Sequence, residues 1–149
     1  MPFRFERALK FSYKNYPAPK GESDLCAVLL VQISNPAKHS PPSKRFEALI
    51  DSGASRCIFH ADIGKAVGFD VRKGEEQETL GISGQSSTLY LHKISLYVAD
   101  QMVTIRGGFS YEIPLAAVLG RIGLFDNFKI TFDPSTNPPF FELERIAMI

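Results

Sequence analysis

Three histidines, two cysteines and a scatter of carboxylates and hydroxyls are the side chains of this sequence that could do chemistry. His39, His60 and His92 stand in no HExxH or His/Cys ligand spacing, so no metal centre is expected. Cys26 and Cys57 form neither a CxxC pair nor a disulfide framework. Cys57 lies near His60, but nearness in sequence does not make a Cys–His pair, and Cys57 reads as a buried bystander. Gly81-Ile82-Ser83-Gly84-Gln85 matches a nucleophile elbow only in part. Gln85 replaces the last glycine, and no alternation of strands and helices surrounds it. Gly120-Arg121-Ile122-Gly123 lacks the rest of any phosphate-cradling loop.

One segment remains. Phe46-Glu47-Ala48-Leu49-Ile50 runs straight into Asp51-Ser52-Gly53-Ala54-Ser55, which puts a carboxylate on a tight turn after a strand-like run. Such a carboxylate needs donors, because burying it unpartnered is costly. The Ser52 hydroxyl and the Gly53 and Ala54 backbone N–H groups can supply them. Gly53 also leaves room for a second backbone to come close. Taken alone, the tripeptide reads first as an Asx-type turn between two strands, with no chemistry. No other aspartate is placed in this way: Asp100, Asp126 and Asp133 follow no apolar strand with a hydroxyl and a glycine behind it.

The elements that must hold Asp51 show a period of two. Phe3, Phe5, Leu9, Phe11 and Tyr13 fall at odd positions while Arg4, Glu6, Lys10 and Ser12 fill even ones, which puts the aromatics on one face of a strand. Residues 16–21 break as a loop, and 25–33 reads as a strand buried on both faces. A proline-rich loop over 35–44 precedes the strand that leads to Asp51. Residues 61–68 suit a short helix stopped by Gly68, and 72–78 a charged connector. Strands over 79–91 and 93–98 flank a turn at Gly81-Ile82-Ser83-Gly84, and the slipped alternation near His92–Lys93 predicts a β-bulge. A strand over 102–106 should end at Gly107-Gly108, and one over 115–119 at Gly120. Next comes a second short helix over 121–128, then strands over 130–132 and 140–143. Many short strands and few helices specify an all-β barrel or sandwich.

The segment ending in Asp51-Ser52-Gly53-Ala54 resembles the active-site signature of the retropepsin-like aspartic proteases: two hydrophobic residues, Asp, Thr or Ser, Gly, Ala. Gly81-Ile82-Ser83-Gly84 then stands where that family carries its substrate-covering flap. Ala117-Val118-Leu119-Gly120-Arg121 resembles its hydrophobic-hydrophobic-Gly-Arg element. The likeness covers residues 46–132 in three ordered elements. It is greatest to the bacterial group, in which a phrase like Leu119-Gly120-Arg121-Ile122-Gly123-Leu124-Phe125, followed by Phe128 and Phe132-Asp133, recurs.

The resemblance implies an acid-protease-type barrel, closed or partly open, with one or two short helices, forming one half of a C2 dimer. It implies an aspartic endopeptidase with Asp51 as the catalytic residue. Ser52 would bond across the twofold, Gly53 would accept a substrate N–H at its carbonyl, and Ala54 would line the pocket. Gly81, Ile82, Ser83 and Gly84 would cover the substrate, while Val118, Leu119 and Phe125 belong to the core. Because the chain has a single Asp-Ser-Gly, the second carboxylate must come from Asp51 of the partner subunit. Ala117-Val118-Leu119-Gly120 echoes Ala48-Leu49-Ile50-Asp51, with glycine where a second Asp would stand.

Two departures open an alternative, a catalytically weak or silent peptide- or protein-binding module of the same fold. Viral members carry Asp where this chain has Ser55, which leaves Arg121 to find another partner or a backbone carbonyl. The flap has two glycines rather than a longer run. Separately, the segment before Asp51 is longer than in compact viral enzymes, so their interface and pocket contacts do not carry over.

The remaining composition narrows the partners. With 149 residues and 44% hydrophobic content including 12 Phe, the chain is read as one globular domain, 1–149, not a disordered one. Seventeen basic against 16 acidic residues and no basic run argue against nucleic acid. The longest apolar run, 25–31, is too short to span a bilayer. An N-terminus without an apolar h-region and two unpaired cysteines lead to the expectation of a cytoplasmic protein. The expected partners are a peptide or protein substrate and a second copy of the chain, with no cofactor and no metal.

Overall fold

The computed structural model describes residues 3–5, 8–17, 23–80 and 84–148. Strands dominate these residues: β1 (Phe3–Phe5), β2 (Leu9–Ser12), β3 (Lys14–Pro17), β4 (Ser23–Cys26), β5 (Val28–Ser34), β6 (Phe46–Ile50) and β7 (Ile58–His60), and then β8 (Glu75–Leu80), β9 (Ser86–Val98), β10 (Gln101–Ser110), β11 (Ala117–Leu119), β12 (Phe128–Asp133) and β13 (Phe140–Met148). One short helix, α1 (Ala61–Ala66), lies between β7 and β8.

Six strands close into a barrel. β10, β7, β11, β6, β5 and β9 hydrogen-bond in that order, and β9 pairs back onto β10. Closure leaves the ring without an open edge, and inward side chains fill it. Ile33, Phe59, Ile94, Leu96, Phe109 and Leu119 are wholly buried there. β8 hangs on β9 outside the ring. Its exposed Glu75, Glu76 and Glu78 suit an edge strand, because charge discourages pairing with other chains.

A second sheet is built on β13, with β12 on one side and both β1 and β2 on the other. Here the odd–even pattern holds: Leu9 and Phe11 are half-buried while Lys10 and Ser12 are exposed. Phe11 stacks on buried Phe141 with ring centroids 5.4 Å apart. β3 and β4 form a separate ribbon. Helix α1 starts at His60, whose Nδ1 accepts the Asp62 N–H at 3.1 Å, and the chain leaves it through Gly68 at φ +91°.

Five expectations are corrected. No helix forms over 121–128: Gly123 takes φ +115°, outside the helical range, and the stretch folds into successive turns. Side chains there take over backbone bonds: Asp126 Oδ1 accepts the Gly123 N–H and Asn127 Nδ2 donates to the Gly123 carbonyl, each at 2.9 Å. No bulge interrupts β9, which keeps one register against β10 from Val98↔Gln101 to Tyr90↔Phe109. The slipped alternation marks a change of neighbour on its other edge, where β8 pairs with Ser86–Leu91 and β5 with Ser95–Val98.

Gly107 and Gly108 lie inside β10 rather than ending a strand. A Cβ on Gly107 would come within 2.9 Å of Ile94 Cδ1, so glycine serves close packing there. Residues 25–33 are two strands, not one buried on both faces. Leu25 and Leu30 are 49% and 45% exposed while Leu29, Val31 and Ile33 point inward. The charged connector is also shorter than expected: a 3₁₀ turn over Val71–Lys73 leads directly into β8.

Candidate active site

The site is built by a crossing. β11 lies between β6 and β7, parallel to the first (Val118↔Leu49, Leu119↔Ile50) and antiparallel to the second (Ala117↔Phe59, Val118↔Ile58). The loop joining β6 to β7 must therefore pass over the end of β11. Asp51 N–H donates to the Leu119 carbonyl at 3.0 Å, Arg121 N–H to Ala54 O at 2.9 Å, and Ile122 N–H to Ser55 O at 2.9 Å. Cys57 N–H closes the loop on Ile122 O at 3.1 Å. A Cβ on Gly120 would lie 2.5 Å from Arg56 O and 2.6 Å from Ala54 O, so this crossing exists only because residue 120 has no side chain.

Asp51, Ser52 and Gly53 face outward from this pinned loop and are exposed, while Ala54 is half-buried. Gly53 N–H donates to Asp51 Oδ1 at 2.8 Å. Ala54 N–H goes to the Asp51 backbone carbonyl at 3.1 Å, not to the carboxylate. The Ser52 hydroxyl has no hydrogen bond among the described residues. Of the three expected donors, one reaches the carboxylate, and burial is not what makes it necessary. The result is a backbone-anchored carboxylate whose second oxygen is open to water or to another acid.

The hairpin of β8 and β9 runs in register from Glu75↔Leu91 to Leu80↔Ser86. Gly81, Ile82 and Ser83 at its tip lie outside the described residues. Gly84 is exposed at φ +80° with open space around it, a backbone conformation that glycine adopts without penalty. Between this hairpin and residues 110–114 is a cleft of about 300 Å³ whose wall includes Ile58, Ser86, Leu89 and Glu112. Asp51 does not line it within one chain.

Arg121 departs from the expectation that its side chain finds a partner. The guanidinium is exposed and makes no hydrogen bond among the described residues, and only the backbone N–H of Arg121 ties the loop down. Cys57 is wholly buried under the loop, with Sγ 3.9 Å from Gly120 O. Burial pushes its thiol up to about 12, so it supplies no thiolate. His60 is occupied as the helix cap, and His92 Nε2 shares a hydrogen with Val71 O at 2.8 Å. Among the described residues no three His, Cys, Asp or Glu side chains group as metal ligands.

Sequence reasoning missed Arg56. Its Nη1 donates to Arg106 O at 2.9 Å, and Arg106 in turn pairs with Glu75 at the base of β8. That chain links the Asp51 loop to the β8–β9 hairpin through β10. No local signal could reveal it, because barrel closure alone brings residues 56, 75 and 106 together.

A closed barrel with β11 inserted between β6 and β7 beneath an Asp-Ser-Gly loop is a retropepsin-like fold. The chain is similar over its whole length to a retropepsin-like aspartic protease from Rickettsia conorii, with TM-score 0.62 and 15% identity, covering 100% of this chain and 99% of that one. An inhibitor-complexed EIAV protease overlays at TM-score 0.47 with 16% identity, covering 64% of this chain and 82% of that one. No family model matches the sequence, and no curated protein matches it. Among the described residues no helix is long and apolar enough to cross a membrane.

Proposed function

We propose that this chain is an aspartic endopeptidase that hydrolyses peptide bonds as a C2 homodimer, residues 1–149 acting as one unit that supplies half of the site. The observation that carries the reading is Asp51 itself. It is an exposed carboxylate held by the Gly53 N–H, on a loop clamped to Leu119, Arg121 and Ile122. Rigid presentation of this kind suits a dyad, because two carboxylates brought into hydrogen-bond reach cannot both ionise and so share a proton.

In this mechanism the ionised member takes a proton from a bound water while the protonated member polarises the scissile carbonyl. The pair titrates as a unit with two macroscopic values, so activity is expected on the acidic side of neutrality. Ser52, whose hydroxyl is unbonded among the described residues, bonds across the twofold. Gly53 O, which accepts no hydrogen bond among the described residues, takes a substrate N–H, and Ala54 lines the pocket. Gly81, Ile82, Ser83 and Gly84 cover the substrate, and strand-like backbone bonds fix its register. The cytoplasmic setting expected from two unpaired thiols is part of the same proposal.

A purified dimer that cleaves a peptide library between about pH 3 and 7, and loses this on Asp51→Asn, supports the reading. Cleavage that survives the substitution sinks it. A second reading, the silent peptide-binding module, is favoured by one observation: Ser55 gives Arg121 no carboxylate, and its guanidinium stays unbonded among the described residues. A monomer that binds peptides without cleaving them would establish this alternative.

A further inference from the structure

We infer that Glu112 makes the cleft between the flap hairpin and residues 110–114 a subsite for a lysine or arginine side chain of the bound peptide. The inference rests on the reading of the site as one that binds peptides, and it names the peptide chemistry.

The cleft has an apolar floor of Ile58, Leu89, Ile113 and Pro114 and a hydroxyl rim that includes Ser86 and Ser87. Among the described residues that line it, Glu112 is the one charged residue. At about 300 Å³ it sits at the small end of ligand pockets and suits one long side chain. A lysine or arginine fits both parts of this surface: its methylene stem lies on the apolar floor while its charged head meets a carboxylate.

The backbone that carries Glu112 is held in place. Ser110, buried at the end of β10, accepts the Glu112 N–H at 3.0 Å and the Ile113 N–H at 3.2 Å through one hydroxyl oxygen. Glu112 forms no ion pair among the described residues. The neighbouring cations are committed to Tyr111: Arg72 lies over its ring at 4.4 Å while donating to the Tyr90 hydroxyl at 3.0 Å, and Lys65 lies over the same ring at 4.9 Å. Neither lines the cleft.

Twofold symmetry sharpens the inference. A C2 dimer carries two such clefts, so basic residues are favoured at matched positions on both sides of the scissile bond.

The test separates this inference from the catalytic reading. Full-length Asp51→Asn protein is titrated with three extended peptides that differ at one position, carrying lysine, norleucine or glutamate. Backbone amide shifts at Ile58, Ser86 and Ile113 report occupancy. The lysine peptide should bind about tenfold more tightly than the norleucine peptide, the gain from one charge-assisted hydrogen bond. Glu112→Gln should remove that preference and Glu112→Lys should shift it to the glutamate peptide. Equal binding of the lysine and norleucine peptides, or a preference untouched by Glu112→Lys, overturns the inference. Library cleavage by the wild-type chain then provides a second readout. Cleavage without basic enrichment overturns the subsite but leaves the protease reading standing. Lysine-selective binding without any cleavage keeps the subsite and removes the protease reading.

Discussion

Two strand ends lie side by side at the centre of this molecule and do opposite things. Ala48-Leu49-Ile50-Asp51 and Ala117-Val118-Leu119-Gly120 run parallel with Leu49 beside Val118 and Ile50 beside Leu119. Both are apolar and both are followed by a backbone that turns away. One ends in an exposed carboxylate, the other in a glycine pressed against two carbonyls. The loop after Asp51 passes over the end of the other strand, so Asp51 is on the outer side of the crossing and Gly120 beneath it. A side chain is accommodated at one end and forbidden at the other by the same loop.

The strongest way to break the comparison is to neutralise its outer end. Asp51→Asn should lower kcat by about a thousandfold or more, the scale of lost acid–base chemistry, and shift stability by no more than about 0.5 kcal/mol because the residue is exposed. Peptide hydrolysis and urea unfolding of the same preparation check both halves. A large loss of stability would mean that Asp51 is structural.

The inner end should respond the other way. Gly120→Ala places a Cβ against Arg56 O and Ala54 O at separations no real Cβ tolerates, so the loop must shift. We expect a loss of about 3 kcal/mol in chemical denaturation. A variant as stable as the wild type would show that the crossing is looser than described.

Cys57, packed under the same crossing, offers a pH test. Its thiol is held up to about 12 from an ordinary value of 9.0, chiefly by burial. The folded chain therefore keeps a proton that the unfolded chain releases. The stability this contributes is present below 9.0 and is lost as pH rises from there toward 12. Cys57→Ala should lose stability less steeply over that window, as followed by denaturation at stepped pH. Parallel curves for the two proteins would rule this out.

The smallest effect concerns the unbonded guanidinium. Ser55→Asp offers Arg121 a carboxylate on the loop it already holds by backbone bonds. It should add up to about 1 kcal/mol, the worth of an exposed pair, with the gain disappearing in high salt. A gain that persists in salt would point to some other cause.

Much of this was legible in the residues. The odd–even pattern of Leu9 and Phe11 is a strand face, and the apolar run into Asp51 is a strand entering a turn. The helix expected over 61–68 forms as α1 (Ala61–Ala66) with Gly68 just past its end, because cap and stop lie within one local stretch. The failures share a cause. The slip at His92–Lys93 read as a bulge because the sequence cannot show β9 exchanging β8 for β5 along one edge. Gly107-Gly108 read as a strand end because nothing local announces that Ile94 and Leu89 pack against them. The helix over 121–128 was overridden by Gly123 and by the side chains of Asp126 and Asn127, which compete for backbone groups.

By itself the sequence determined that strands dominate, that the apolar run over 46–50 is one of them and turns at its end, and that one carboxylate follows it with a serine and a glycine behind. These are matters of side-chain period and local backbone preference, which act over a few residues. Only the tertiary structure decided that β11 enters between β6 and β7, that Gly120 must be bare, that Arg56 reaches Arg106, and that Glu112 shares a cleft with Ile58 and Leu89. Those facts depend on closing the barrel, which brings together residues far apart in sequence by burying apolar surface that no single segment can bury alone.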